Sequence, residues 1–384
     1  MKDSSCPLLV VLMAVESPWS VDIACRLSKS NYRVIVARSQ PALDKPASDR
    51  AREGLQRLAD HDISVVDVSQ GPRIVPSFVR LACNLKSLCR RMKANHLLTL
   101  YGGSFAIAAC LSGFRPYSVY WVGSDINLPG RFRTICMMPP FRFATLNIVN
   151  GRSLAKATER RFGARNLVEL YIGVDAEVWK FEPDKRPGRI VCTRWFEPVY
   201  DNATIIEAFF EADGAANGMS LVFTSSGSEL ARGRELVRSR SNDDRSGVTF
   251  LGGVDRRQLQ IELSQAESFV SMSRSDGTST ALLEALACGA FPVLSDIPAN
   301  REWKDHGCDL ELVKAGDISG LSKALVRVHA DAERRRCATI RNREIVERVA
   351  SSDRNMMHLA QMLRTASDRG APHYNDRKGA RRSG

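Results

Sequence analysis

The stretch from Ser268 to Glu302 constrains the fold more than any other part of the chain. It predicts a short buried strand at Ser268–Met272, then a polar loop, then a helix at Ser279–Ala287. Gly289 stands where a glycine commonly ends a helix, and Phe291–Leu294 predicts a second buried strand. Strand, helix and strand in this order form a βαβ unit, which implies a parallel sheet.

Glu284 lies inside the predicted helix with apolar residues on every side. A helix that is apolar all round is buried, and a buried carboxylate without partners is strongly destabilising. Glu284 must therefore interact with a bound ligand or with an arginine inside the core. The sequence leaves both interpretations open.

The loop before this helix has the composition of an anion site. Gly277, Thr278 and Ser279 offer backbone N–H groups at the positive end of the helix dipole. Asp276 opens this loop, and it could accept hydrogen bonds from hydroxyl groups or act only as a helix cap. Together with Glu284, the unit supplies a phosphate site and two carboxylates. A nucleotide-sugar has the matching features, because its phosphates lie between two hydroxyl-rich rings.

The spacing resembles the C-terminal signature of retaining GT-B glycosyltransferases of glycosyltransferase family 4, also described as glycosyl transferases group 1. That signature has an acidic residue and a glutamate separated by seven residues, here Asp276 and Glu284, followed here by Gly289 and Pro292-Val293. The family usually has glutamate first, whereas this chain has the shorter aspartate. The resemblance implies an α/β fold class: GT-B, two doubly wound Rossmann-like domains facing across a cleft. It also implies that Asp276 holds the transferred sugar and that Glu284 holds the ribose.

A second segment, Thr193–Asn202, resembles the family loop in which an arginine and a lysine neutralise the diphosphate. Arg194 matches the arginine, although it could also form an ordinary surface salt bridge. The lysine is not matched, since Tyr200 or Asp201 stands in its place. A charge-assisted hydrogen bond is worth about 1.5–3 kcal/mol. We therefore expect either that Arg274, in the adjacent loop, replaces the lysine or that the donor binds more weakly.

The first half of the chain alternates strands and helices, which predicts another doubly wound parallel sheet. A strand at His96–Tyr101 is followed by Gly102 and Gly103, and a strand at Tyr117–Val122 by Gly123-Ser124-Asp125. The resemblance places Gly102, Gly103 and Ser124 on the acceptor side. The family's catalytic histidine is replaced by Val122, so no catalytic histidine is assigned. Asp125 could contact the acceptor or act as a base, or it could cap the following turn.

The resemblance also gives the domain boundaries. Residues 1–172 form an N-terminal Rossmann-like domain on the acceptor side, and residues 173–350 form a C-terminal Rossmann-like domain on the donor side. Residues 351–366 form a helix that crosses back to the first domain, and residues 367–384 form a basic disordered tail.

The net charge of +12 indicates either an anionic partner or a basic surface that is simply solvated. Nucleic acid is not expected, because no helix-turn-helix or RNP-like pattern occurs. The basic helix predicted at Val79–Lys93 could lie on an anionic membrane surface, or it could pack on its own sheet with a wet basic face. No apolar run is long enough to span a membrane, and the scattered cysteines suggest reduced thiols. We expect a cytoplasmic protein, with peripheral attachment to the inner membrane face left open.

These observations predict a glycosyltransferase of the hexosyltransferase type. It moves a sugar from a nucleoside-diphosphate-sugar, as co-substrate, to a saccharide or lipid-linked saccharide acceptor. By resemblance it retains configuration and serves polysaccharide, lipopolysaccharide or glycolipid synthesis. We expect no cofactor and no metal. Two alternatives stay open: a degenerate GT-B protein that binds without catalysis, and a GT-B-like sugar-nucleotide epimerase.

Overall fold

The computed structural model describes residues 6–39, 49–69, 77–127, 130–240 and 246–370. Each half of the chain forms its own parallel sheet. The strands of the first sheet are β1 (Leu8–Met13), β2 (Arg33–Arg38), β3 (Ser64–Asp67), β4 (His96–Leu100), β5 (Tyr117–Trp121), β6 (Leu146–Val149) and β7 (Leu167–Glu169). The strands of the second sheet are β8 (Arg186–Cys192), β9 (Ser220–Phe223), β10 (Val248–Phe250), β11 (Ala266–Ser271), β12 (Phe291–Ser295) and β13 (Glu311–Val313).

Helices cover both faces of each sheet. Those of the first half are α1 (Pro18–Lys29), α2 (Asp49–Ala59), α3 (Ser77–Arg91), α4 (Gly103–Ser112), α5 (Ser124–Asn127), α6 (Arg131–Phe143) and α7 (Arg152–Phe162). Those of the second half are α8 (Asn202–Glu211), α9 (Leu230–Arg240), α10 (Arg256–Ser264), α11 (Thr280–Cys288), α12 (Pro298–Asp305), α13 (Ile318–Ala330), α14 (Ala332–Val349) and α15 (Ser352–Gly370).

The two sheets have the same topology. Their strand orders are β3-β2-β1-β4-β5-β6-β7 and β10-β9-β8-β11-β12-β13, so the direction of winding reverses between β1 and β4 and between β8 and β11. This is the doubly wound order of a Rossmann-like sheet. The predicted fold class, two such domains of the GT-B type, is confirmed.

The βαβ unit forms as its sequence predicts. Ser279 is the N-cap of α11, and its side chain accepts a hydrogen bond from the backbone N–H of Leu282. Gly289 ends the helix with φ +76°, in the left-handed region that favours glycine. Because α11 packs among the buried apolar residues of the second domain, its apolar surface is buried on nearly all sides.

The last helix, α15, lies against the first domain although it follows the second. Leu359 and Leu363 are buried in the same core as β1 and α1, and Tyr32 in the first domain donates a hydrogen bond to the carbonyl of Ala360. The helix continues to Gly370, four residues beyond the end predicted at residue 366. The rest of the predicted tail, residues 371–384, lies outside the described residues.

Two elements differ from the sequence analysis. The charged segment over 177–187, which contains Pro183 and Pro187, reads as a linker in the sequence, yet it contains the start of β8 at Arg186. Helix α6 has no counterpart among the predicted elements, because Pro139 and Pro140 stand inside it. Prolines are read as helix breakers, yet here the helix continues through both of them.

Candidate functional site

A cavity of about 830 Å³ lies between the two domains. It is lined by the loops that follow β1 and β4 in the first sheet and β8 and β11 in the second. These four strands flank the two points at which the strand order reverses. Ligands of doubly wound folds bind beyond the carboxyl ends of such strands, so the topology alone marks this cavity as the candidate site.

Glu284 reaches the cavity from α11. Within the described part of the chain, its carboxylate forms no hydrogen bond and no ion pair. Burial raises the pKa of Glu284 to about 8, and the more distant charges of Arg256 and Arg194 only partly offset that effect. The alternative in which a core arginine neutralises Glu284 is therefore wrong. This carboxylate is unpartnered and faces open space.

The N-terminus of α11 also faces the cavity, but of the three predicted N–H groups only that of Ser279 has no acceptor among the described residues. Gly277 N–H donates to the carboxylate of Asp276 at 2.9 Å, and Thr278 N–H donates to the carbonyl of Asn150 at 3.4 Å. The expectation that these two groups are free for a phosphate is wrong for this arrangement. Thr280 and Ala281 line the cavity, and their N–H groups have no acceptor among the described residues.

Arg194 and Asp276, predicted to act on different parts of the donor, are brought together. The Arg194 guanidinium lies 2.7 Å from the Asp276 carboxylate, also donates to the Ser279 hydroxyl, and stacks 4.1 Å from the centre of the Tyr200 ring. Arg194 is only 8% exposed, so it is not a surface salt bridge. Burial raises the pKa of Asp276 even though Arg194 opposes the shift. Both side chains line the cavity, where a ligand meets them as a pair.

The position of the missing lysine is occupied by Tyr200 and Asp201. Tyr200 faces the cavity, whereas Asp201 binds Arg274 at 3.1 Å. Arg274 is largely exposed and does not line the cavity. The prediction that Arg274 replaces the lysine is therefore wrong.

A different cation enters the cavity from the first domain. Arg50 of α2 lies 4.0 Å from the centre of the Trp195 ring in the second domain, and it has no ion pair among the described residues. Two other arginines that line the cavity already form ion pairs, because Arg57 and Arg256 both bind Asp22. The sequence offered no signal for Arg50, because only the packing of α2 against the opposite domain brings it to the cleft.

Asp125 is a structural residue and does not reach the cavity. It is 1% exposed and accepts hydrogen bonds from the backbone N–H groups of Gly102, Val122 and Gly123 at 2.8–3.2 Å. Burial raises the pKa of Asp125, which these N–H groups only partly counter. Its predicted roles as a catalytic base or acceptor contact are contradicted by this burial. The alternative, in which Asp125 holds the turn, fits the structure.

The two glycines predicted on the acceptor side are also set back from the cavity. Gly102 is buried, and a Cβ there would lie 2.3 Å from the Trp121 ring. Gly103, with φ +58°, shapes the start of α4, while Ser124 belongs to the short α5. Neither glycine lines the cavity. Neighbouring residues do, since the first-domain side of the cavity includes Tyr101, Ser104, Phe105 and Val122.

The two domains are tied together beside the cavity. Glu302 of α12 is buried and accepts hydrogen bonds from the N–H groups of Arg152 and Ser153, at the N-terminus of α7 in the first domain. Asn127 donates to the carbonyl of Asp276 at 3.0 Å. Glu302 thus holds the two domains together and does not line the cavity.

One Asp-x-Asp triplet, a pattern often associated with metal-bound nucleotides, occurs at Asp60-His61-Asp62. It lies in the turn between α2 and β3, at the end of the sheet opposite the cavity, and does not line it. Within the described residues, no group of three or more metal-ligating side chains is found.

The second domain matches a family model. Residues 189–331 match glycosyl transferases group 1, which covers less than half of the chain. No curated protein matches the chain significantly.

Solved structures of low sequence identity share the whole fold. HepE from Anabaena in complex with UDP-glucose has 15% identity and a TM-score of 0.78, over 93% of this chain and 99% of its own. Sucrose-phosphate synthase from Thermosynechococcus elongatus has 16% identity and a TM-score of 0.74, over 94% of this chain and 98% of its own. A mutant of S. aureus TarM, in complex with Fondaparinux, alpha-GlcNAc-glycerol and UDP, has 7% identity and a TM-score of 0.75. The match covers 93% of this chain and 99% of the TarM chain. The chain therefore has the GT-B fold, and its second domain is similar to the glycosyl transferases group 1.

Proposed function

We propose that the chain is a glycosyltransferase that moves a sugar from a nucleoside-diphosphate-sugar to a hydroxyl group of a saccharide or lipid-linked saccharide. The donor binds in the cavity against the second domain, and the acceptor enters from the first. UDP-sugars are the first donors to test, because the structures of HepE and TarM were solved with UDP. Retention of configuration and a role in polysaccharide, lipopolysaccharide or glycolipid synthesis extend this proposal from the family resemblance.

Glu284 is the observation that carries the proposal. Its carboxylate is desolvated, faces the cavity and has no protein partner within the described residues. A protein rarely keeps such a group unless a ligand completes its hydrogen bonds. The two hydroxyl groups of a ribose are donors of the required kind, since a carboxylate can accept both at once.

The diphosphate is assigned to the N-terminus of α11. The N–H groups of Thr280 and Ala281 are free and point along the positive end of the helix dipole. Arg194 lies beside them, although it is shared with Asp276. Arg50 supplies a second positive charge from the opposite domain and replaces the missing lysine of the family loop.

This arrangement suits a reaction in which the leaving group gains negative charge. Breaking the bond between the sugar and the diphosphate leaves charge on the diphosphate oxygens. Fixed N–H groups and arginines beside these oxygens stabilise the transition state more than the ground state. Asp276 holds hydroxyl groups of the transferred sugar, with its orientation set by Arg194.

The second candidate function is a GT-B protein that binds a nucleotide-sugar without transferring it. It is favoured by Val122, an apolar side chain that lines the cavity where the family has its catalytic histidine. Hydrolysis of UDP-sugars, or transfer from them, by the purified chain would exclude this candidate.

Isothermal titration calorimetry with UDP and with its 2′,3′-dideoxy analogue tests the ribose site. The unaltered chain should bind the analogue at least tenfold more weakly, because each charge-assisted hydrogen bond contributes about 1.5–3 kcal/mol. Glu284→Ala should weaken UDP binding and remove the discrimination between the two ligands. The control is Glu235→Ala, whose side chain is 74% exposed on α9. Persistent discrimination in Glu284→Ala would refute the ribose role, and no binding of any UDP-, GDP-, ADP- or CMP-sugar would refute the function.

A further inference from the structure

The first domain has one strongly cationic side. Between Ser77 and Phe143 the sequence contains nine lysines and arginines and a single acidic residue, Asp125. Asp125 is 1% exposed, so this stretch presents no acidic side chain to solvent. Arg90 and Arg91 of α3 and Arg133 and Arg142 of α6 form no ion pair among the described residues. Their charges are therefore available to an anionic partner.

The same side exposes large apolar residues. On α6, Phe132 is 81% exposed, Ile135 63%, Met138 50% and Phe143 55%. Leu111 on the neighbouring α4 is 57% exposed. The buried side chains of α6, Met137 and Phe141, already pack on the sheet, so the exposed row is not part of the core. Large clustered apolar surfaces on a monomer usually mark an interaction site.

These residues form one continuous layer, because α4 packs between α3 and α6. We call the solvent-facing side of these three helices the α3–α4–α6 surface. A helix that follows a parallel strand begins at the carboxyl edge of the sheet, which here is the cleft side. Phe132 and Ile135 lie at the start of α6, and Phe78, 45% exposed, lies at the start of α3. The apolar end of the surface thus borders the cleft, and Arg133 lies close to Gly103 at its rim.

The structure decides between the two alternatives for the basic helix. The apolar side of α3 is buried against its own sheet, through Leu81, Leu85 and Leu88. Helix α3 therefore cannot place that side on lipid, and the alternative of a packed helix with a wet basic face is observed. Most of the exposed apolar groups come instead from α6, which the sequence analysis did not predict.

We propose that the α3–α4–α6 surface docks on an anionic lipid bilayer. Apolar side chains flanked by unpaired arginines and lysines are what an interfacial membrane site requires. A second copy of the chain fits less well, because a two-fold contact would bring the same unpaired cations face to face. No helix in the described part of the chain is long and apolar enough to cross a membrane, so this contact is peripheral. Docking would place the acceptor side of the cleft next to the bilayer.

Vesicle co-sedimentation of the full chain tests the proposal independently of sugar transfer. The unaltered chain should bind vesicles that contain phosphatidylglycerol, should bind phosphatidylcholine vesicles far less, and should be released by salt. Arg133→Ala with Arg142→Ala should weaken binding by about fivefold per arginine removed. Phe132→Ser with Ile135→Ser should weaken it roughly tenfold or more. Ile340→Ser, which changes a 51% exposed residue of α14 in the second domain, is the matched control and should change nothing.

Three results would overturn the proposal. These are no binding to phosphatidylglycerol vesicles at low salt, equal binding by all variants, and a concentration-dependent dimer in light scattering that Phe132→Ser with Ile135→Ser abolishes. UDP calorimetry on the same variants separates this outcome from failure of the proposed function. The surface variants should bind UDP like the unaltered chain, because none of the changed residues lines the cavity.

Discussion

The guanidinium of Arg194 lies 2.7 Å from the carboxylate of Asp276, and both side chains line the cavity between the domains. A cation and an anion that we propose to serve different parts of one ligand are thus coupled before a ligand binds. Removing either partner changes the other, so their variants must be interpreted together.

Arg194→Ala should weaken UDP binding at least tenfold, because it removes a charge-assisted hydrogen bond and leaves Asp276 buried without its cation. Asp276→Asn should leave UDP binding unchanged or tighter, since Arg194 is then free for the diphosphate. It should also remove the extra affinity for UDP-glucose over UDP. Calorimetry measures the affinity for UDP and for UDP-glucose, and Arg274→Ala, which changes an exposed residue, is the control. Equal UDP affinity in Arg194→Ala would remove that residue from the phosphate site.

Arg50→Ala should weaken UDP binding about fivefold or more while leaving uridine binding unchanged. The reason is that Arg50 offers an unpaired charge to the diphosphate and nothing to the nucleoside. Arg50→Lys should restore part of the affinity. Arg52→Ala, on the exposed side of the same helix, is the control. If uridine and UDP lose affinity equally, Arg50 only shapes the cleft.

The contrast between Glu284 and Arg50 shows what the sequence could provide. Glu284 could be singled out because a carboxylate within an apolar helix is anomalous in the sequence itself, and the strand-helix-strand pattern around it predicted a parallel sheet. Arg50 is one of many arginines, and only the approach of the two domains distinguishes it. The predicted catalytic role of Asp125 was wrong for a related reason. Its sequence neighbours resemble a functional segment, but its carboxylate accepts hydrogen bonds from the backbone N–H groups of two loops. The partners of a polar side chain depend on tertiary packing, which local patterns do not specify.

Asp125→Ala should destabilise the fold by about 2–4 kcal/mol, because it leaves buried N–H groups of Gly102, Val122 and Gly123 without an acceptor. Urea unfolding measures the change. Asp317→Ala, which removes an exposed helix cap, should cost only about 1 kcal/mol. A stable Asp125→Ala protein that has lost all transfer activity would instead restore a catalytic role for Asp125.

Glu284→Gln should stabilise the unliganded chain at alkaline pH and have little effect at acidic pH. Burial raises the folded-state pKa of Glu284 to about 8, whereas the unfolded value is about 4.3. Between these values the folded state binds more protons than the unfolded state, so the free energy of unfolding falls as pH rises. Glutamine does not ionise, so in Glu284→Gln the free energy of unfolding no longer falls for this reason. Urea unfolding at pH 4 and pH 9 should show a gain of several kcal/mol at the higher pH and almost none at the lower. An equal effect at both values would mean that Glu284 is solvated or paired.

Transfer from a UDP-sugar should survive chelation by EDTA. The cavity offers the N–H groups of α11 and the cations Arg194 and Arg50 to the diphosphate, and these can supply the charge stabilisation that a divalent ion provides in other enzymes. The Asp60-His61-Asp62 triplet lies too far from the cavity to hold a donor-bound ion. Initial rates with EDTA, with added Mg²⁺ and with added Mn²⁺ should agree within about twofold. The matched control is Asp60→Asn with Asp62→Asn, which should not change the rate. A strict metal requirement that this double variant leaves intact would show that a cation binds with the donor in the cavity, and the electrostatic role assigned to the arginines would then be wrong.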